Sequence, residues 1–166
     1  MKRLILCGIA ALALALPAAT AAGNGNGKGN GHSKGKGHGG VMCVLHAKLR
    51  AKNETPPTTS VAKGHTLIKV WNDGTIQYKT QINNKARETF VAGHIHQAPV
   101  GVPGPIVVPL FVAPAPPTSA RHIKQSGTAT PNAGTTGAAL CQNPSAYYVN
   151  YHTTAFPAGA IRGQLH

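Results

Sequence analysis

A hairpin pattern in the middle of the chain constrains the fold more than any other feature. From Ile76 to Ile82, apolar and β-branched residues alternate with polar ones, and the turn residues Asn72-Asp73-Gly74 come just before. A period of two sends successive side chains to opposite faces of a strand, and an Asp-Gly pair tolerates the positive φ angles of a tight hairpin turn. Because Thr66 to Val70 supplies the partner strand, the sequence predicts antiparallel β-structure here.

The rest of the chain after residue 40 also favours strands. Further strands are predicted at Val41–Leu49, Phe90–His96, Ile106–Val112, Arg121–Thr130, Tyr147–Thr153 and Ala160–Leu165, and a short helix at Thr135–Gln142. Pro109 restricts its strand to a sheet edge or a bulge, because proline cannot donate to a ladder. Short strands at this spacing predict an all-β fold, either an antiparallel β-sandwich or a Greek-key barrel.

The first 22 residues have the pattern of a secretory signal peptide. Lys2 and Arg3 precede the apolar run Leu4–Leu16, and Ala19-Thr20-Ala21 has the small-x-small spacing of a cleavage site. The apolar run is short for a membrane span, and no other stretch is long enough to be one. We therefore expect a secreted protein, extracellular or periplasmic, with no transmembrane segment after signal cleavage.

Residues 23–40 form a separate, glycine-rich segment. Half of these residues are Gly and the others are Asn, Lys, His and one Ser, so no apolar side chain is present to offset the entropy of ordering. The segment is predicted to be a disordered linker, which leaves 41–166 as one β domain.

Two cysteines, Cys43 and Cys141, remain once residues 1–22 are removed. An even count in an oxidising compartment favours a disulfide bond between them. The alternative is a pair of buried free thiols.

The charge balance is strongly basic, with a formal net charge of +13 over the whole chain. Such a protein adheres to anionic surfaces, so the expected partners are an extracellular protein or an anionic surface polymer. The basic residues are scattered along the sequence and match no nucleic-acid motif, so specific nucleic-acid binding is not expected. Three carboxylates and no GxSxG elbow leave little material for catalysis, and no catalytic residue is assigned.

Three histidines are the strongest candidates for a site. His94 and His96 share one face of a predicted strand, and His152 supplies a third imidazole if its strand is a neighbour. Such a set suits copper or zinc, with Asn150 as a group that orients a ring, although no cofactor is certain. With ordinary imidazole pKa values, metal binding should be lost at pH 5. The alternative is that the rings hydrogen-bond to backbone and lock the sheet.

Four motifs carry a family resemblance, and they stand in the order Gly93–Gln97, Gly101–Val108, Tyr148–Thr153 and Phe156–Leu165. Together they resemble the CHRD domain, named for chordin and found in many secreted bacterial proteins. The resemblance implies an extracellular all-β module with no established catalytic activity. This chain departs from the family at Ala160, where a glutamate is usual.

The run Gly93–His96 is also similar to the copper-ligand strand of Cu/Zn superoxide dismutases, but the rest of that pattern is missing. The expected function is a non-enzymatic extracellular binding or structural module. The alternative is an extracytoplasmic copper- or zinc-binding β-protein that uses the three histidines. Arg162, on the last strand, is expected either to tie loop ends by fork-shaped hydrogen bonds or to bind an anion.

Overall fold

The structure is a computed structural model that describes residues 38–111 and 117–166. The described residues form eight strands and one short α-helix. In chain order these are β1 (Val41–Arg50), β2 (Lys63–Trp71), β3 (Ile76–Asn83), β4 (Phe90–Gln97), β5 (Ile106–Phe111), β6 (His122–Ala129), α1 (Gly137–Gln142), β7 (Tyr147–Thr153) and β8 (Ile161–Gln164).

All eight strands belong to one antiparallel sheet with the order β5-β4-β7-β8-β1-β2-β3-β6. The sheet curves until its two edge strands, β5 and β6, approach each other. Asn132, just beyond β6, closes part of the gap: its backbone N–H donates to Val107 O at 2.8 Å and its side-chain amide to Ile106 O at 3.0 Å. The all-β prediction is confirmed, and of the two architectures the molecule adopts a nearly closed barrel.

The hairpin that the sequence predicts joins β2 and β3. Its register pairs Val70 with Ile76, and Gly74 has the positive φ of 84° that the turn requires. The side chain of Asp73 accepts a hydrogen bond from the Thr75 N–H at 2.9 Å, which is a typical Asx interaction in turns. The apolar and polar residues that alternate in the sequence of β3 are alternately buried in the barrel and more exposed on its outer face.

The barrel interior is filled by alternate residues of every strand. Its largest fully buried side chains are those of Tyr151, Phe90, Leu49, Ile68, Ile76, Ile95, Leu140, Ile161 and Leu165. The Tyr151 hydroxyl donates to Thr80 Oγ1 at 2.8 Å, and Thr80 Oγ1 lies 2.8 Å from Thr66 Oγ1. This chain of hydroxyls satisfies the polar end of Tyr151, which is a fully buried side chain.

Pro109 lies in β5, which is an edge strand, as its missing N–H requires. The register between β4 and β5 shifts between Gly93 and His94, and again between Ile95 and His96.

Cys43 on β1 and Cys141 on α1 form a disulfide bond with a Cα–Cα distance of 5.9 Å, as predicted. The bond ties α1 to the barrel wall. The helix begins after Thr136, whose hydroxyl accepts from the Ala139 N–H at 3.2 Å, and it buries Leu140 completely.

The predicted signal peptide, residues 1–22, and most of the predicted linker lie outside the described residues. Of the linker, His38 is described; its Nδ1 lies 2.8 Å from Asp73 Oδ2 and its ring packs against Trp71. No helix in the described part of the chain has the length and hydropathy needed to cross a membrane.

Candidate functional site

The predicted site residues lie on the outer face of β4, β7 and β8, opposite the core residues Ile95 and Val149. Two rows cross these three strands: His94 pairs with Asn150 and Asn150 with Arg162, while His96 pairs with Tyr148 and Tyr148 with Gln164. His152 lies two residues beyond Asn150 on the same face of β7, opposite Ala92. β7 pairs with β4 in the sheet, and this pairing brings His152 close to His94 and His96.

The three imidazole rings form a cluster. The ring centroids of His94 and His152 are 5.0 Å apart, those of His94 and His96 are 5.7 Å apart, and those of His96 and His152 are 6.1 Å apart. One ring nitrogen from each residue lies within 4.8 Å of the other two. The cluster is sheltered, because His94 and His96 are each only 8% exposed.

Hydrogen bonds to backbone carbonyl groups orient the rings of His96 and His152. His96 Nδ1 lies 2.9 Å from Gly104 O, and His152 Nδ1 lies 3.0 Å from Pro157 O. A carbonyl oxygen only accepts hydrogen bonds, so in both rings Nδ1 carries the proton and Nε2 keeps its lone pair. This arrangement, with Nδ1–H bonded to a carbonyl, is how metal-binding histidines are commonly oriented.

The two free lone pairs point into the cluster. His152 Nε2 lies 3.1 Å from His94 Nδ1, which donates to it in the metal-free protein. His96 Nε2 is buried and has no hydrogen-bond partner among the described residues. A buried nitrogen without a partner is rare in folded proteins, and it calls for a ligand or a proton donor.

The electrostatics of the cluster favour neutral rings. Burial, followed by the proximity of His152 and then His96, lowers the pKa of His94 from 6.5 to about 4. Burial also lowers the pKa of His96 and that of His152, although the carbonyl hydrogen bond of each ring opposes this shift. Neutral imidazole is the form that binds metal ions.

The loop between β4 and β5 covers the cluster and is fastened to β8. Arg162 donates from Nη1 to Val102 O and from Nη2 to Pro99 O, both at 2.9 Å. Its guanidinium also packs on the Tyr148 ring, with Cζ 3.3 Å from the ring centroid. Of the two roles expected for Arg162, the structure displays the tying of the loop.

Tyr148 links this loop to the histidines. Its ring stacks on His96 with a centroid distance of 4.8 Å and an interplanar angle of 8°. Its hydroxyl accepts from the Gly104 N–H at 3.1 Å, and the carbonyl of the same glycine holds the His96 ring. Gly104 packs so closely against Gln97 O that a Cβ would clash there, so this position requires glycine.

Asn150 does not have the role that the sequence suggested. Its amide Nδ2 donates to Glu54 Oε2 at 3.2 Å, and no imidazole is among its hydrogen-bond partners. The ring-orienting groups are instead the carbonyls of Gly104 and Pro157. Main-chain carbonyls have no signature in the sequence, which is why this part of the site was missed.

Glu54 is the other residue that sequence reasoning did not assign to the site. It is 7% exposed, and its Oε1, like Asn150 Oδ1, is buried without a hydrogen-bond partner. Burial raises its pKa to about 7, although the charge of Arg162 and the Asn150 hydrogen bond act in the opposite direction. The only hint in the sequence is that Glu54 is one of three acidic residues in the chain.

The geometry is close to that of a three-histidine metal centre. Zn–N bonds of 2.0–2.1 Å at tetrahedral angles separate ligand nitrogens by about 3.3 Å. The His94–His152 pair, at 3.1 Å, already has this separation. With all three nitrogens within 4.8 Å, the remaining pairs must close by at most about 1.5 Å to reach this separation.

Comparison with known proteins agrees with the sequence motifs. The family model described as the CHRD domain matches residues 45–165, which is well over half of the chain and includes β1 from Leu45 onward and all of β2 to β8. No curated protein and no solved structure gives a significant match. On the strength of the family match, this chain belongs to the CHRD-domain family.

Proposed function

We propose that this CHRD-domain protein is a secreted, non-enzymatic binding module that holds one copper or zinc ion through His94, His96 and His152. The observation that carries the proposal is the convergence of one nitrogen from each ring within 4.8 Å. Of the two functions that the sequence left open, a general binding or structural module and a metal-binding protein, we therefore favour the metal-binding protein.

The hydrogen bonds of the rings support a metal site over a purely structural lock. A lock needs only the Nδ1 bonds to Gly104 O and Pro157 O. It does not account for the buried His96 Nε2, which has no partner among the described residues, or for the convergence of three imidazoles whose pKa values are lowered, chiefly by burial. A metal ion that accepts all three lone pairs accounts for both features.

The donor set also indicates the type of ion. Three neutral imidazoles suit Cu(II) and Zn(II), whereas Mg²⁺ and Ca²⁺ require oxygen ligands. No carboxylate belongs to the described cluster: Glu54 bonds to Asn150, Glu88 to Ser60 and Asp73 to Thr75. At a nitrogen-rich site the Irving–Williams order favours Cu(II) over Zn(II).

Two further observations support the remainder of the proposal. The N-terminal sequence has the pattern of a signal peptide, and the Cys43–Cys141 bond is typical of proteins in oxidising compartments. The chain has only three carboxylates, and Glu54, Asp73 and Glu88 each hydrogen-bond to a different residue, which argues against a mechanism that needs a pair of carboxylates.

The experiment that tests the proposal is a metal titration of the protein after dialysis against a chelator. We expect one Cu(II) or Zn(II) ion per chain, with Cu(II) the tighter of the two. His94→Gln and His152→Gln should each weaken metal binding by about 100-fold, since each removes one side chain that binds the ion directly.

His65→Gln is the matched control, because His65 lies exposed on the outer face of β2, away from the cluster, and its loss should leave the affinity unchanged. A stoichiometry of one that survives both cluster substitutions, or no binding by the unsubstituted protein, would contradict the proposal. The rings would then be sheet-locking residues.

A further inference from the structure

The outer face of β1, β2, β3 and β6, on the part of the barrel away from the histidine cluster, collects basic side chains. Six lysine and arginine residues occupy outward positions on these four adjacent strands; we call this set the basic face, and it consists of Lys48, Arg50, Lys63, Lys69, Lys79 and Lys124. In the sequence these residues are scattered over about half of the chain. Strand pairing brings them onto one surface.

The register of the sheet arranges the basic face in rows. One row crosses all four strands as Lys48, His65, Gln81 and Lys124. The row beside it runs Arg50, Lys63, Asn83 and His122, and the row on the other side includes His46 and Lys79. Because every outward position of a row lies on the same side of the sheet, the cations of neighbouring strands project together.

No acidic residue offsets this charge on the face. The four strands contain no Asp or Glu at all, inward or outward. Among the described residues, Asp73 lies in the β2–β3 turn beside His38, Glu88 bonds to Ser60, and Glu54 is buried against Asn150. The basic face therefore has an uncompensated positive potential, which attracts anions over a distance of about 8 Å at physiological salt.

The dimensions of the basic face suit an extended polymer. Strands about 4.8 Å apart make the four-strand row about 14 Å wide, and the six-residue step from Lys63 to Lys69 spans about 20 Å along β2. A chain that lies across the strands meets Arg50 and Lys63 on neighbouring strands in one row, and Lys48 and Lys124, three strands apart, in the next. A single small anion would engage only a fraction of them.

The chemistry of the face favours a polysaccharide over a nucleic acid or a membrane. The three rows that carry the five cations other than Lys69 contain no Trp, Tyr or Phe, and the one such ring beside the face is that of Trp71, whose centroid lies 5.3 Å from Lys69 Nζ, so the face offers no series of platforms on which successive bases stack. In these rows the one large apolar side chain, Leu67, is only partly exposed, and the exposed Val44 lies at one edge of the face beside Lys69, so little apolar surface is present for insertion into lipid. Five of the six cations are lysines, which act as flexible point charges and need no fixed phosphate geometry.

We propose that the basic face binds a linear polyanionic polysaccharide that bears sulfate or carboxylate groups, with the polymer lying across β1, β2, β3 and β6. The interaction is separate from the histidine cluster. A failure of metal binding therefore leaves this proposal intact, and the converse also holds.

The test uses the full chain and labelled heparin as the probe, with affinity measured by fluorescence anisotropy at 0.15 M NaCl. The triple variant Lys48→Gln, Lys79→Gln and Lys124→Gln removes three cations from the face. The matched control, Lys28→Gln, Lys34→Gln and Lys36→Gln, removes three cations from the glycine-rich segment. Both variants change the net charge equally, so a purely nonspecific attraction predicts equal losses.

We expect the face variant to bind heparin at least about tenfold more weakly and the control to stay within about twofold of the unsubstituted chain. The face variant should also show a shallower dependence of log affinity on log salt, because fewer counterions are released. All three substituted lysines are exposed, so the melting temperature should not change.

Equal losses in the two variants would overturn the assignment to this face. Tighter binding to oligothymidylate or to phosphatidylglycerol vesicles than to heparin, at equal concentrations of anionic groups, would overturn the choice of a polysaccharide.

Discussion

His94 Nδ1 lies 3.1 Å from His152 Nε2, although 58 residues separate these histidines in the sequence. The contact exists because β4 pairs with β7, which places Ala92 opposite His152 and His94 opposite Asn150. In the metal-free protein one ring donates to the other. An ion that binds both nitrogens must displace that proton, so the contact is a resting state of the proposed site.

Metal binding should stabilise the barrel against heat. An ion that binds only the folded chain, at 100 times its dissociation constant, adds about 2.7 kcal/mol, which for a domain of this size is about 8 °C in Tm. We expect this shift with Zn(II) in differential scanning fluorimetry. It should disappear in His152→Gln and persist in His65→Gln. A shift of equal size in His152→Gln would show that the ion binds elsewhere.

The contribution of His94 to the stability of the metal-free protein should fall as the pH is lowered from 6.5 to 4. In this window the unfolded chain protonates His94 at its ordinary pKa of 6.5, whereas the folded chain, with a pKa of about 4, resists protonation. The contribution of His94 is therefore complete above pH 6.5 and is lost on the way to pH 4, whereas Glu54, whose pKa is raised, acts in the opposite direction in this window. The pKa of Asp73 is lowered below its ordinary 3.8, so this carboxyl titrates beneath the window.

Thermal melts between pH 7 and pH 4 check this prediction. The Tm difference between the unsubstituted chain and His94→Gln should shrink as the pH falls through this window, while the difference from His65→Gln should stay constant. The lowered pKa values also revise the expectation from the sequence that metal binding is lost at pH 5. Because burial lowers the pKa of all three rings, and that of His94 to about 4, we expect binding to weaken at a lower pH than ordinary imidazoles would allow, and half-loss of binding at pH 6.5 would contradict the buried environment of the cluster.

The sequence was sufficient to predict that His94 and His96 share a face, because a period of two is a local property of any strand. It was not sufficient to place His152 beside them. That requires knowing that β4 pairs with β7, and strand pairing depends on contacts between residues far apart in the chain. The same limit applies to the basic face, whose members look scattered until the register aligns them.

Some features of the site have no local pattern at all. The carbonyls of Gly104 and Pro157 orient the rings through the main chain, which every residue possesses. The burial of Glu54 depends on the loop beyond β1 folding against β7, where its carboxyl meets Asn150. Turn chemistry, by contrast, is local, and the Asp73-Gly74 hairpin was predicted correctly.

Loss of the disulfide bond should destabilise the protein substantially. Cys43 and Cys141 are 98 residues apart, so in the chain-entropy model the bond contributes about 4 to 5 kcal/mol by restricting the unfolded chain. We expect the double variant Cys43→Ser and Cys141→Ser to show this loss in urea unfolding. The unsubstituted protein should match the variant once a reductant is added. An unchanged urea midpoint would mean that the disulfide bond does not stabilise the folded protein by restricting the unfolded chain.

Replacement of Glu54 by glutamine should stabilise the protein at alkaline pH. Burial raises the pKa of Glu54 from 4.5 to about 7, so between these values the folded chain holds a proton that the unfolded chain has released. The contribution of Glu54 to stability therefore falls as the pH rises from 4.5 to 7, and the full penalty of a buried charge applies above pH 7. A glutamine carries no charge, and its amide can donate to the unpartnered Asn150 Oδ1.

We expect Glu54→Gln to raise Tm by about 5 °C at pH 8, which corresponds to about 2 kcal/mol, and to leave it unchanged at pH 4.5. Glu88→Gln is the matched control: it removes the same charge, and its amide oxygen still accepts from Ser60, so no gain at pH 8 is expected. A lower Tm for Glu54→Gln at pH 8 would show that the attraction between Glu54 and Arg162 outweighs the cost of burying the carboxylate. In that case the ionised Glu54 would be a stabilising part of the loop-tying network around Arg162.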